Sequence, residues 1–138
     1  MIARYPDWPK RLREFMDSRA TQPFSYGAND CCLFACDAVK AITGVDPARE
    51  FRGYIGKEEA EAVLGEHGGV DGIAERVTAQ LGFQEIPVSF LQRGDLVICL
   101  STEPTLCVID LNGKPCGPGE SGATWYPRGY MRRGWRVG

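Results

Sequence analysis

Phe24-Ser25-Tyr26-Gly27-Ala28-Asn29-Asp30-Cys31-Cys32-Leu33-Phe34-Ala35-Cys36-Asp37-Ala38-Val39-Lys40-Ala41-Ile42-Thr43-Gly44 carries both a start and a stop signal for a helix. An aromatic, glycine-containing turn runs into Asn29 and Asp30, both N-cap types, and the apolar run halts at Gly44, which suits a position just past a helix end. On a helix, Phe34, Ala35, Ala38 and Ile42 share the meridian of Cys31, while Cys36 and Val39 share that of Cys32. Apolar flanks on both sides predict a helix buried in most directions. Cys31 falls in its first turn, where unpaired backbone N–H groups and the positive end of the dipole favour a thiolate. Asp30, one residue away, opposes that effect.

Working outward, a chain of 138 residues fits one domain with one sizeable core. The expected division is a single domain over 1–138, with an N-terminal helix in 1–20 and the core in about 22–137. Hydrophobic and charged contents of 43% and 25% are those of an ordinary globular protein. A net charge of −2 argues against a dedicated nucleic-acid binder. No apolar run approaches a membrane span, and Met1–Ala20 is charged and amphipathic, unlike a signal peptide. Synthesis and folding in a cytoplasm are therefore expected, with the six cysteines as free thiols. Arg128, Arg132, Arg133 and Arg136 cluster locally and read as a solvated or partner-facing edge.

Upstream, Asp7-Trp8-Pro9 reads as an N-cap with proline in the first turn of an amphipathic helix through Trp8, Leu12, Phe15, Met16 and Arg19. Downstream, Val45–Gly56 is irregular, its Phe51 and Tyr54 pinning it to the body. Lys57–Leu64 predicts a short helix closed by Gly65-Glu66-His67-Gly68-Gly69, and Val70, Ile73, Ala74, Val77 and Leu81 mark another, ended by Gly82. Strands follow. Phe83–Val88 reads as an edge strand, given Pro87, and Leu96–Leu100 and Leu106–Leu111 as continuous apolar strands. Asn112-Gly113 is a strong hairpin signal, Lys114-Pro115-Cys116 starts the return, and Thr124–Tyr126 and Gly134–Val137 read as two last strands. Helices first and strands afterwards predict an α+β fold, with helices packed on one side of a small antiparallel sheet.

Three features together resemble the NlpC-type branch of the papain-like cysteine peptidases. They are Pro23-Phe24-Ser25-Tyr26-Gly27 leading to Asp30-Cys31, Arg93-Gly94-Asp95-Leu96-Val97 opening a strand, and the order of a helix followed by a meander of strands. The chain is similar in particular to small NlpC-like proteins of tailed phages and gene transfer agents. Tyr26–Cys31, Thr43-Gly44-Val45-Asp46-Pro47-Ala48 and Gly134-Trp135-Arg136-Val137 carry that likeness over nearly the whole length. The resemblance implies a papain-like fold with Cys31 as nucleophile.

The chain departs from the pattern at the base. Active members place a histidine at the start of the strand after the Gly-Asp strand, where it deprotonates the cysteine. Here that strand begins Pro104-Thr105-Leu106-Cys107, so Thr105 or Cys107, depending on register, holds the place. Neither is a general base near neutral pH. Asn112 matches the orienting residue but has no imidazole to orient, and Phe24 lacks the hydroxyl of the family's usual tyrosine. The sole histidine, His67, precedes the sheet and reads as a solvated loop residue. Asp110 ends a strand facing the cleft, a partner or solvent. Arg93-Gly94-Asp95 reads as a turn into a strand and not as an adhesion tripeptide.

The leading expectation is a structural subunit of a phage tail tip, built on a papain-like fold without a working base and located at the virion tail after synthesis in the bacterial host. Its expected partners are other tail-tip and hub proteins. Trp125, Tyr126, Tyr130 and Trp135, beside the C-terminal arginines, are the expected partner surface. The alternatives are a cysteine peptidase or amidase cutting host peptidoglycan during DNA entry, and a cysteine-ligated metal subunit of the same assembly. Cys32 and Cys36 share a helical face, but no Cys-x-x-Cys pair exists. No metal and no cofactor are assigned.

Overall fold

Asp30 starts the central helix, α2 (Cys31–Thr43): its side chain accepts a hydrogen bond from the Leu33 N–H, and Gly44 closes the helix in the left-handed region at φ 80°. This computed structural model describes residues 2–138. Nine of the residues of α2 are buried, from Cys32 through Thr43, as its two apolar flanks require. Three further helices surround it: α1 (Trp8–Arg19), α3 (Gly56–His67) and α4 (Gly69–Leu81).

The strands are β1 (Glu85–Ile86), β2 (Leu96–Leu100), β3 (Pro104–Ile109), β4 (Pro115–Gly119), β5 (Gly122–Trp125) and β6 (Met131–Trp135). They form one six-stranded sheet in the order β1-β6-β2-β3-β4-β5, with every pair antiparallel. The protein is thus α+β, four helices and an antiparallel sheet.

Register explains why β2 and β3 read as unbroken apolar runs. Leu96 pairs with Val108 and Ile98 with Leu106, and these side chains join the core beneath α1, α2 and α4. Val97 pairs with Cys107, and with Cys99 and Ile109 they face the other way, under Leu91 and Met131. Both faces are covered, so alternation gives way to continuous hydrophobicity. Cys36, Leu33 and Ala48 make a third, small cluster beneath the loop that follows α2.

Several boundaries differ from expectation. Helix α3 runs through Gly65 to His67 and closes at Gly68 (φ 81°), so Gly65 to His67 belong to the helix. One glycine costs about 1 kcal/mol, too little to stop an Ala/Glu-rich helix. Asp7 holds the N-cap position of α1 without capping it; its carboxylate takes Arg11 Nε at 2.7 Å instead. Strand β3 ends at Ile109 because Asp110 begins the hairpin loop, its N–H donating to the Lys114 carbonyl at 2.9 Å. The last strand begins at Met131, and Trp135, expected on a partner surface, is buried with 3% exposure against Leu96 and the main core. Trp125 and Tyr130 are exposed, and Tyr126 is half-buried.

Candidate functional site

Asp30 organises the start of α2 with both carboxylate oxygens. Oδ1 accepts from the Leu33 N–H at 3.0 Å, and Oδ2 accepts from the Gly27 N–H at 3.0 Å and from the Tyr54 hydroxyl. Gly27 sits at φ 82°, and a Cβ there would lie 2.3 Å from the Tyr54 carbonyl oxygen. The turn therefore requires glycine on two counts. Asn29, fully buried, accepts Arg19 Nη1 at 2.8 Å and donates to the Gln22 and Pro23 carbonyls at 3.2 and 3.1 Å. Arg19 continues to Asp37 at 2.7 Å, and Arg52 joins Asp37 to Asp46. The Tyr-Gly-x-Asn-Asp lead-in is thus a polar clamp that fixes where Cys31 stands.

Cys31 is half-buried and lines a cleft of about 570 Å³. Helix α3 and the start of α4 form one wall, with Glu61, Val63 and Val70. The β2–β3 and β4–β5 turns and the start of β3 form the other, with Glu103, Glu120 and Thr105, while Phe24, Tyr26, Tyr54 and Tyr126 supply aromatic surface. Phe24 and Tyr26 pack edge to face, centroids 4.8 Å apart.

The Cys31 thiol is lowered below its ordinary value, first by hydrogen bonding with the Cys32 thiol and then by a backbone bond from Leu106; burial and the Asp30 charge oppose the shift. Cys32 is pushed up, by the same bond to Cys31 and by burial, so Cys31 gives up its proton first. Cys36 is also pushed up by burial, and Cys116 is pushed up to about 12 for the same reason.

Of the two residues at the expected base position, Thr105 lines the cleft, while Cys107, two residues further along the same face of β3, is buried with Val97 and Cys99 and does not reach it. His67 stands at the end of α3, its Nδ1 2.8 Å from the Val63 carbonyl oxygen and its ring 6.1 Å from that of Phe51. It does not line the cleft with Cys31. Asn112 sits in the β3–β4 turn, at the far end of β3 from Thr105, where its Oδ1 accepts the Lys114 N–H at 2.9 Å. Tyr54 donates its hydroxyl to Asp30 and is itself raised, chiefly by burial, so it offers no base either. A thiol lowered by its hydrogen bonds therefore faces a cleft with no imidazole on its walls.

Other motif residues serve the framework. Asp95 is fully buried; it accepts Arg4 Nη2 and the Val137 N–H on Oδ1, at 2.8 and 3.1 Å, and Arg136 Nε and the Gln92 N–H on Oδ2, at 3.1 and 2.9 Å. The Arg93-Gly94-Asp95 tripeptide is thereby committed internally. Asp110 is buried and accepts the Trp125 indole N–H at 2.8 Å, and it does not line the cleft. The C-terminal arginines are likewise engaged. Arg128 donates to the Gly113 and Leu91 carbonyls, Arg132 to those of Gly129 and Met131, and Arg133 to Glu85, Asp71 and Glu75. Arg128 and Arg132 are exposed and bond only to backbone carbonyls, as a solvated edge requires, whereas Arg133 and Arg136 are paired with carboxylates.

The thiols disperse. Cys32 and Cys116 enter the main core, Cys36 the small cluster beneath the loop, and Cys99 and Cys107 the far face of the sheet. Among the described residues, no group of three or more His, Cys, Asp or Glu side chains is arranged to hold a metal ion. No described helix is long and apolar enough to cross a membrane.

Sequence reasoning located Cys31 and Asp30 but missed the partnership of Tyr54 with Asp30 and the carboxylates that rim the cleft. These residues lie far apart along the chain, and nothing local in the sequence marks them. An α+β chain with a cysteine at a helix start in a cleft is the class defined by fold and site. The chain belongs to the family described as a domain of unknown function, DUF6950, whose model matches residues 3–137. No curated protein gave a match to it.

Proposed function

We propose that this protein is a structural subunit of a phage tail tip, built on a papain-like, NlpC-type fold, and that its cleft holds a partner without cutting it. The observation that supports the reading is a cleft beside Cys31 lined by Thr105, one of the two residues expected at the place of the base, with the chain's one histidine bonded elsewhere. Acyl transfer to a cysteine needs a group that takes the thiol proton and returns it to the departing amine. Asp30 has both oxygens engaged by Leu33, Gly27 and Tyr54, and a threonine hydroxyl is no base near neutral pH. The phage setting rests on the start and end motifs, and other tail-tip and hub proteins are its proposed partners.

A second reading, a cysteine peptidase or amidase acting on host peptidoglycan, draws on one observation: Cys31 stands at the start of α2 and lines the cleft, its thiol lowered by hydrogen bonding. In it, the Cys31 sulfur attacks the amide carbonyl, the amine leaves carrying a proton, and water cleaves the thioester. The proton carrier has to come from a neighbouring subunit, because His67 is turned to Val63. The two readings separate on purified muropeptides incubated with the wild type and with Cys31→Ala. We expect no cleavage that depends on Cys31, while iodoacetamide still labels that thiol. Release of peptide fragments by the wild type and not by Cys31→Ala would overturn the proposal in favour of the enzyme. Mass spectrometry of purified tails tests the location, and absence of the chain from them would contradict it.

A further inference from the structure

We infer that the cleft beside Cys31 receives a positively charged, lysine- or arginine-bearing segment of a partner protein. The inference deepens the assembly reading above and rests on it. A volume of about 570 Å³ lies within the roughly 300–1,000 Å³ typical of ligand sites. What distinguishes this cleft is its charge. None of the chain's 16 lysines and arginines lines it, whereas Glu61, Glu103 and Glu120 do. Glu61 has Lys57 at 3.9 Å, with both side chains exposed, which offsets it weakly. Glu103 and Glu120 form no ion pair among the described residues. They project from the β2–β3 and β4–β5 turns, which lie at the same end of the sheet.

The aromatic surface gives an independent indication. Among the described residues, every arginine stacked on a ring lies over Trp8, Tyr5, Phe15 or Trp135. Phe24, Tyr26 and Tyr126, which line the cleft, carry no such cation. Four rings outside the cleft are covered by the chain's own arginines, whereas the cleft's rings are open to a cation from outside. A ring face attracts a cation through its quadrupole, and carboxylates around a concave site focus the same sign of field. An anionic segment meets repulsion from the same groups. A long basic side chain satisfies both features, its stem on the aromatic surface and its charge toward the glutamates.

The test uses the full chain and three fluorescent peptides of about eight residues with blocked termini, long enough to cross the cleft in extended form: alternating Lys-Ala, Ser-Ala and Glu-Ala. The Lys-Ala peptide is expected to bind, more weakly as ionic strength rises from about 0.05 M to about 0.3 M, and the other two are not. Glu103→Gln/Glu120→Gln is expected to weaken binding about fivefold, while Glu14→Gln/Asp17→Asn on α1, removing the same charge, leaves it unchanged. These four positions are exposed, so the variants retain the fold. Equal binding of the three peptides, no binding of any, or equal effects of the two double variants would overturn the inference. Spermidine competing as effectively as the peptide at equal charge would overturn a peptide occupant. Mass spectrometry of the incubated peptide, with Cys31→Ala in parallel, separates this inference from the reading beneath it. Cysteine-dependent cleavage sinks the non-cutting role and leaves the charge preference, whereas an unbound Lys-Ala peptide sinks the preference alone.

Discussion

At Cys31 two influences from the same neighbour pull in opposite directions. Asp30 shapes the first turn of α2 by capping it, and thereby places the thiol among helix-start N–H groups; its negative charge, one residue away, disfavours the thiolate. The consequence is a testable sign. Removing the charge with Asp30→Asn, which keeps an oxygen for the Leu33 N–H, should move the pH midpoint of Cys31 alkylation downward from the wild-type value. That wild-type midpoint is itself expected below that of an ordinary free thiol. Peptide mapping after pulse labelling across pH measures both, and an upward move in the variant contradicts the assignment. The cap role was legible in Asn29-Asp30-Cys31. The Tyr54 hydroxyl on Asp30 was not, because it comes from 24 positions away and aromatic residues in loops pack for many reasons.

Among the elements, the start of β2 is where the chain's two ends are fastened. Asp95 gathers Arg4 from the N-terminal arm, Arg136 and Val137 from the segment after β6, and the Gln92 N–H from its own turn. Arg4 also lies over the Trp8 ring at 4.4 Å and donates to the Arg93 carbonyl at 2.8 Å. Asp95→Ala strands a largely buried guanidinium and a buried backbone N–H, which should lower stability by about 3 kcal/mol. Urea denaturation at neutral pH reads this as a reduced midpoint; a change below about 0.5 kcal/mol, the level of an ordinary surface substitution, would show that the fastening is dispensable. The Gly-Asp pair was readable as a strand opening. Its purpose was not, since its partners stand at opposite ends of the sequence. Helix α3 gives the complementary lesson: Gly65 looked like a stop, and helix closure waits for the Gly68-Gly69 pair.

For the molecule as a whole, burial on both faces of the sheet removes thiols from water. Cys36 and Cys116 are each fully buried, and burial pushes both thiols up, Cys116 to about 12. In the unfolded chain these thiols ionise near 8.5. A group whose folded value is raised contributes its full stability below the unfolded value and loses it as pH climbs toward the folded one. Each of the two should therefore remove about 1.4 kcal/mol per pH unit above ~8.5, or about 4 kcal/mol together by pH 10. Denaturation midpoints from pH 8 to about 10 check the slope, and Cys116→Ala should reduce it by one thiol's share, about 1.4 kcal/mol per pH unit, whatever its offset at neutral pH. A flat profile would mean that these thiols do not titrate on unfolding.

Local chemistry alone determined the helix from Cys31 to Thr43, the two core strands, the Asn112-Gly113 turn and the helices-then-strands order. Caps, glycines and apolar periodicity act within a few residues, and sequence records them directly. Only the tertiary structure decided that Thr105, not Cys107, lines the cleft with Cys31, that Arg133 and Arg136 are paired with carboxylates, and that Trp135 is core. It also brought three carboxylates from α3 and two separate turns around one cleft. Such meetings depend on strand register and on the packing of elements distant in sequence, where shifting a strand by a single residue turns every side chain to the other face.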